Sequence, residues 1–233
     1  MSIAIVSGII ILVLLIIMLV AGVPIAVALG VSSVCAILPV MDIDVAVLTG
    51  AQRIFSGISV FSLLAIPFFI LSGVVMSVGG LARRLVDVAA SLVGWMMGGL
   101  GAVVSLASMF FGAISGSSLA TVSCIGGIMV PEMQKKGYDL GYSAVFTACA
   151  GTIGAVIPPS IPLVVYGVCT STSIGDLFLG GIFPGVMIGI ALIISNYIIC
   201  KKKGYVGAER KSGREILKAV WEAKWALFAP VII

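Results

Sequence analysis

The sequence predicts an all-α, polytopic membrane protein that carries a re-entrant helical hairpin and a proline-broken helix. Three observations predict it. The 233 residues are 61% hydrophobic and only 9% charged, with a mean hydropathy of +1.31. A soluble domain carries about 25% charged residues and needs them to cover its exterior. A charge-free stretch at 101–131 has a polar centre, Gly112-Ala113-Ile114-Ser115-Gly116-Ser117-Ser118, and an apolar run at 141–175 is interrupted by Pro158-Pro159-Ser160.

The elements follow in order from one piece of arithmetic: a crossing helix needs about 20 mainly apolar residues at ~1.5 Å each. Residues 3–40 are twice that long and divide at Gly22-Val23-Pro24 into spans near 3–21 and 24–40. No Lys or Arg precedes the first apolar run, so it reads as a span rather than a secretory signal. Asp42 and Asp44 mark a loop, and 45–58 is a shorter amphiphilic stretch with Gln52 and Arg53. Residues 60–80 form a span containing Pro67 and ending at Gly79-Gly80; after Arg83, Arg84 and Asp87 the chain is apolar again over 88–100. The three arginines read as interfacial anchors. Beyond the charge-free stretch, Glu132, Lys135, Lys136 and Asp139 form a polar loop. Residues 141–157 and 161–175 are the halves of the broken helix, Asp176 interrupts, and 178–200 is a strong span closed by Lys201-Lys202-Lys203.

Residues 201–224 hold eight of the thirteen basic residues: Lys201, Lys202, Lys203, Arg210, Lys211, Arg214, Lys218 and Lys224. The positive-inside rule turns this segment to the cytoplasm. Residues 213–225 read as an amphipathic helix with Ile216, Leu217, Val220, Trp221 and Trp225 on one side, lying on the membrane surface or serving as a solvated linker. Residues 226–233 begin another apolar run, expected to open a further span of a longer protein.

Histidine is absent, which removes Ser-His and Cys-His pairs and most zinc sites. Cys35, Cys124, Cys149, Cys169 and Cys200 contain no C-x-x-C pair and read as small buried hydrophobes. A serine enzyme built on Ser115 or Ser117 lacks a base near the tip and a G-x-S-x-G elbow. The pattern therefore points away from an enzyme.

The two interruptions carry the chemistry. On either side of the Ser-Gly-Ser-Ser tip, legs within 101–131 are ~20 Å long, short of the ~30 Å hydrocarbon core, and suit a hairpin that enters and leaves on one side. Irregular backbone at that depth is tolerated only in a protein interior or beside a watery cavity. Two prolines remove two backbone donors, so carbonyls of residues 154–157 become free acceptors. Hydroxyls at a hairpin tip and carbonyls at a helix break are the parts of a midplane ion site. No carboxylate lies in 101–131 or 141–175, so such a site is neutral and suits a hard monovalent cation. Helix N-termini after the tip and after Ser160 could face a carboxylate. Read as packing instead, the same glycines and serines let helices approach closely, and Thr152 and Ser160 can bond back to their own helices. An ion channel or passive pore accommodates the same breaks.

The ordered motifs Gly112–Ser118, Val130-Pro131-Glu132-Met133, Lys136-Gly137-Tyr138, Gly151-Thr152-Ile153-Gly154, Ile157-Pro158-Pro159-Ser160 and Ser173-Ile174-Gly175-Asp176-Leu177-Phe178 resemble the large membrane subunit (DctM-like, M subunit) of tripartite ATP-independent periplasmic (TRAP) transporters. The resemblance covers about the N-terminal half of such a subunit. It implies a polytopic helical transporter of elevator type in the bacterial or archaeal cytoplasmic (inner) membrane, of which this chain is the first of two inverted repeats. It implies sodium-coupled import of small organic acids, C4-dicarboxylates or sialic acids. The implied partners are a periplasmic binding protein (P type), a small four-helix membrane subunit (Q type), the lipid bilayer and a small carboxylate substrate, with no nucleic acid. Residues 1–80 would be mainly scaffold, 81–200 the first transport repeat with its hairpin at about 101–131 and interrupted helix at about 141–175, and 201–225 a cytoplasmic connector. Carried over by motif, the Na⁺ ligands are Ser115, Ser117, Gly154, Ile157 and Pro159, with Gly116, Ser118, Thr152 and Ser160 as second choices for ion or substrate.

Overall fold

In a computed structural model that describes residues 3–208 and 210–232, with side chains through 228, every regular element is helical. The chain forms two compact units, Met1–Phe61 and Ser62–Ile233.

The first unit holds α1 (Ile3–Val20), α2 (Ile25–Ile37) and α3 (Ile43–Ile58). α2 packs against both neighbours through small residues. Ala28, Ser32 and Ala36 are buried on α2, and Gly50 of α3 leaves room for Val34. α2 stops before its expected end at residue 40, because Pro39 has no N–H to extend the ladder. α1 buries nothing, and residues such as Leu12, Ile16 and Val20 are exposed. Such a surface suits an apolar surrounding rather than water.

The second unit holds α4 (Ala65–Val78), α5 (Leu81–Val93), α6 (Gly99–Ser115), α7 (Ser118–Lys135), α8 (Leu140–Gly151), α9 (Ile161–Thr170), α10 (Ile174–Lys203), α11 (Gly213–Glu222) and α12 (Lys224–Ile232). Its centre is α6, against which α4, α5, α7, α8 and α10 pack. Leu85, Val103, Phe111, Ile114, Ile125 and Met129 fill that core. Leu100 and Val103 near the start of α6 share a cavity with Ile128, Met129 and Glu132 near the end of α7, so the two helices run antiparallel as a hairpin. Among the described residues, three segments are long and apolar enough to cross a membrane: Ile3–Val20, Phe61–Val78 and Ile174–Lys203.

Four further expected boundaries move. The apolar run 88–100 is two helices, because Gly98 (φ 69°) turns the chain and starts α6 at Gly99. The hairpin legs are longer than 101–131 allows, 17 and 18 residues, or ~26 Å. The buried row Thr121, Ile125, Met129 and Met133 holds α7 together through Pro131. The break opens at Thr152, before the prolines, where α8 tightens into a short helical turn (Thr152–Ala155). Asp176 does not interrupt a helix; it lies in the first turn of α10, where a carboxylate complements the helix dipole. Ser173 caps that end by accepting from Asp176 N at 3.3 Å. Of the cysteines read as buried, only Cys200 is; Cys149 and Cys169 are exposed on helix faces that this unit leaves uncovered. Of the run expected at 226–233, the part through Ile232 is in α12, and Ile233 lies outside the described residues.

Candidate cation site at the hairpin tip

Two residues make the hairpin turn. Gly116 (φ 61°) ends α6 in the left-handed region, and Ser117 is extended. Ser117 caps α7, its Oγ accepting from Ala120 N at 3.4 Å. Thr121, one turn into α7, donates to the Ser117 carbonyl at 2.8 Å and lies 3.3 Å from Ser115 Oγ. Ser115 Oγ makes a further long contact of 3.5 Å to the Ser117 carbonyl. Ser115 and Thr121 are both buried. These bonds leave lone pairs free on both serine hydroxyls.

At the break, Val156 N and Ile157 N converge on the Ile153 carbonyl, each at 2.9 Å. Pro158 and Pro159 have no N–H to offer. Ser160 restarts the helix: its Oγ donates to the Ala155 carbonyl at 2.6 Å and accepts from Leu163 N at 3.4 Å. Among the described residues the carbonyls of Gly154, Ile157 and Pro159 accept no hydrogen bond.

Tip and break meet. Ile161 N donates to the Gly116 carbonyl at 3.1 Å. A Cβ on Gly116 would lie 2.7 Å from the Pro159 carbonyl oxygen, and one on Gly154 would lie 3.0 Å from the Ser117 oxygen. Gly112 backs directly onto Gly154. α10 supports the break from another side: the Val156 carbonyl and the Ile157 side chain occupy the space that side chains on Gly181 and Gly185 would need.

Ser115, Gly116, Ser117, Gly154 and Pro159 are therefore brought together, and Ile157 stands at the break with its carbonyl unpaired. Ser118 opens α7 half-buried. Thr152 is exposed and donates to its own helix at Cys149, 2.7 Å away. Thr152 and Ser160 thus use their hydroxyls locally. A cavity of about 320 Å³ opens beside the tip, lined by Gly73 and Ser77 of α4 with Phe111, Ser115, Ser117 and Cys124. Among the described residues no group of three His, Cys, Asp or Glu side chains could hold a metal. Neutral oxygens are what the tip and break offer, which is the chemistry of a hard cation.

Two features escaped the sequence reading. Thr121 is one; a lone threonine in a helix carries no signal. The other is a clamp at the root of the hairpin. Buried Asn196 of α10 donates to the Gly98 carbonyl at 2.9 Å and accepts from Tyr142 Oη at 2.7 Å and Cys200 Sγ at 3.4 Å. Gly98 N donates to the Tyr205 carbonyl at 3.1 Å, and Asp139 N donates to Tyr205 Oη at 3.1 Å. Tyr138 stacks on Tyr205 with centroids 4.2 Å apart, and burial pushes its phenol up to about 12. Outside this cluster, Lys135 at 2.8 Å holds the exposed Glu132 carboxyl below its ordinary range. An amide inside the apolar run 178–200 was the available signal for the clamp, since such a group faces a protein interior and a partner.

The family model of the "Tripartite ATP-independent periplasmic transporter, DctM component" matches residues 12–233. The chain belongs to that family. Among relatives of this DctM component, the isethionate TRAP transporter permease protein DctMQ of Oleidesulfovibrio alaskensis is 46% identical over 216 residues, 92% of this chain and 34% of that protein. The C4-dicarboxylate TRAP transporter large permease protein DctM of Vibrio cholerae is 44% identical over 217 residues, 93% of this chain and 48% of that one. The sialic acid TRAP transporter large permease protein SiaM of the same organism is 44% identical over 183 residues, 78% and 43%. The chain spans about a third to a half of the length of these relatives. Tip, break and clamp all lie within the residues that the DctM model matches.

Proposed function

We propose that this DctM component carries the first sodium site of a secondary transporter importing small organic acids across the cytoplasmic membrane. The observation that carries the reading is the junction of Gly116 with Ile161, which joins the helix break, with its unpaired carbonyls at Gly154, Ile157 and Pro159, to the tip that carries the hydroxyls of Ser115 and Ser117. These five residues would hold the ion. Bound there, sodium supplies a positive charge that draws a carboxylate. The protein's own contribution points the same way: α7 and α9 both begin at this junction, so two helix N-termini present partial positive charge to one place. With no fixed charge in the tip or break, substrate and ion must neutralise each other, which is a physical basis for coupling.

Relatives are named for C4-dicarboxylates, sialic acid and isethionate, all small organic anions, and this chain fits the same class. A periplasmic binding protein would deliver the substrate and a small membrane subunit would complete the permease. Movement would be of elevator type, carrying the hairpin and broken helix as one body. The basic segment 201–224 would face the cytoplasm. The test is the full permease with Ser115→Ala or Ser117→Ala. Half-saturating sodium for uptake should rise while the protein stays folded; unchanged sodium dependence in both variants returns these serines to packing. Uptake that survives collapse of the sodium gradient, without the binding protein, would make the protein a passive pore.

A further inference from the structure

The chain after α10 runs outside the apolar helices. α10 closes on Lys201-Lys202-Lys203, all exposed. The connector is pinned to the α5–α6 turn by Gly98 N to the Tyr205 carbonyl and by Ala208 N to the Gly94 carbonyl at 2.9 Å. α11 then lies on α5, and Arg84 donates to the Glu222 carbonyl at its end, 3.2 Å away. Ile216, Ala219 and Val220 are sheltered. Leu217, Trp221 and Trp225, each four residues from the next, are 70%, 68% and 68% exposed.

An uncovered leucine and two tryptophans do not suit a helix in water. The charges beside them are mostly positive. Lys224 Nζ, at the start of α12, stands 3.9 Å from the Trp221 ring centroid and 5.5 Å from that of Trp225, with exposed Arg214 and Lys218 on α11. The described carboxylates are occupied: Glu215 accepts from Ser212 N at 2.9 Å, and Glu222 lies 3.9 Å from Lys218. α11 sits between the cationic end of a helix long enough to span a membrane and the apolar α12. Aromatic rings belong at the boundary of the hydrocarbon, and lysines and arginines there select anionic headgroups.

We infer that α11 and the first turn of α12 form a binding site for anionic phospholipid, with Leu217, Trp221 and Trp225 seated among the upper acyl chains and Arg214, Lys218 and Lys224 on the phosphodiesters. Through Arg84 and the two backbone pins, that anchor is tied to the root of the hairpin. The inference needs α10 to cross a membrane; it does not need the chain to transport anything, so it can fail while the sodium site stands.

The full permease is equilibrated with an equimolar mixture of phosphatidylglycerol and phosphatidylcholine, and retained lipids are counted by native mass spectrometry. The wild type should retain phosphatidylglycerol in several-fold excess, and rising KCl should reduce that excess. Arg214→Ala/Lys218→Ala/Lys224→Ala should abolish it in a protein that still elutes as a single species; if the triple variant does not fold, Lys218→Ala/Lys224→Ala should at least halve it. Equal retention of the two lipids, an excess indifferent to KCl, or an excess that survives the substitutions overturns the inference. So does a protein subunit found seated on Trp221 and Trp225.

Discussion

Gly116→Ala is the sharpest test of the junction between tip and break. Gly116 has φ 61°, its carbonyl accepts from Ile161 N at 3.1 Å, and a Cβ there would lie 2.7 Å from the Pro159 oxygen. The left-handed conformation costs an L-residue about 1–2 kcal/mol. Relieving the contact must displace Pro159 from Gly116 and strain or break the Ile161 bond, a loss of about 0.5–1.5 kcal/mol. Together these come to roughly 1.5–3.5 kcal/mol, which is about 10- to 300-fold if the joined tip is the sodium-binding form. The assay is the rise in melting temperature of the purified permease with added NaCl, against choline chloride. Gly137→Ala is the control: it has φ 82° but nothing within 4 Å of a new Cβ, so it should lower the melting temperature and leave the sodium response unchanged. A wild-type sodium response in Gly116→Ala, or an equal loss in Gly137→Ala, would refute the reasoning.

Thr121→Val deletes the donor to the Ser117 carbonyl while keeping shape; sodium titration should show weaker binding by about 0.5–1.5 kcal/mol, and Thr121→Ser should restore it. Asn196→Ala leaves the Gly98 carbonyl and the Tyr142 hydroxyl without their partner, so thermal unfolding should show a loss of roughly 2–5 kcal/mol. Tyr138 Oη is buried without a hydrogen bond among the described residues, so Tyr138→Phe should raise the melting temperature slightly. Burial lifts the Tyr138 phenol from 10 to about 12, so its ionisation leaves stability untouched below pH 10 and lowers it as pH rises through 12. Melting curves across that window should fall less steeply in Tyr138→Phe.

The helical, membrane-borne architecture was legible because composition and apolar run length respond directly to the solvent. The site was half legible. Pro158-Pro159 declares a break because two missing N–H groups are a covalent fact, and Gly116-Ser117 declares a turn by its residue types. That the two touch is a matter of packing between residues far apart in the chain. It rests on Gly112 and Gly154 backing onto each other, and on Gly181 and Gly185 admitting Val156 and Ile157, pairings that no local pattern specifies. The leg length was misread for a similar reason. The bounds 101–131 follow the absence of charge, yet the row from Thr121 to Met133 buries enough side chain to carry α7 through Pro131 and past Glu132. Thr152 and Ser160 rank as second choices in the sequence, polar groups near a break; in the structure their hydroxyls bond back to Cys149 and Ala155, which no local pattern specifies.

The neutrality of the junction has a consequence of its own. A carboxylate in this packing would be a buried, unpaired charge whenever no cation neutralised it, which costs several kcal/mol and leads to protonation instead. Backbone carbonyls and hydroxyls escape that penalty. They carry partial charge, and the helix ends that aim them are fixed by Ser117 at the start of α7 and Ser160 at the start of α9. The same economy makes the tip hard to open alone. Parting Gly116 from Ile161 would strand a carbonyl and an N–H among apolar neighbours, while the Asn196 clamp holds the other end of the hairpin to α8 and α10. Hairpin and broken helix are thus tied at both tip and root. Flexing of the tip alone is therefore costly, and the proposed elevator movement would need a body of that kind.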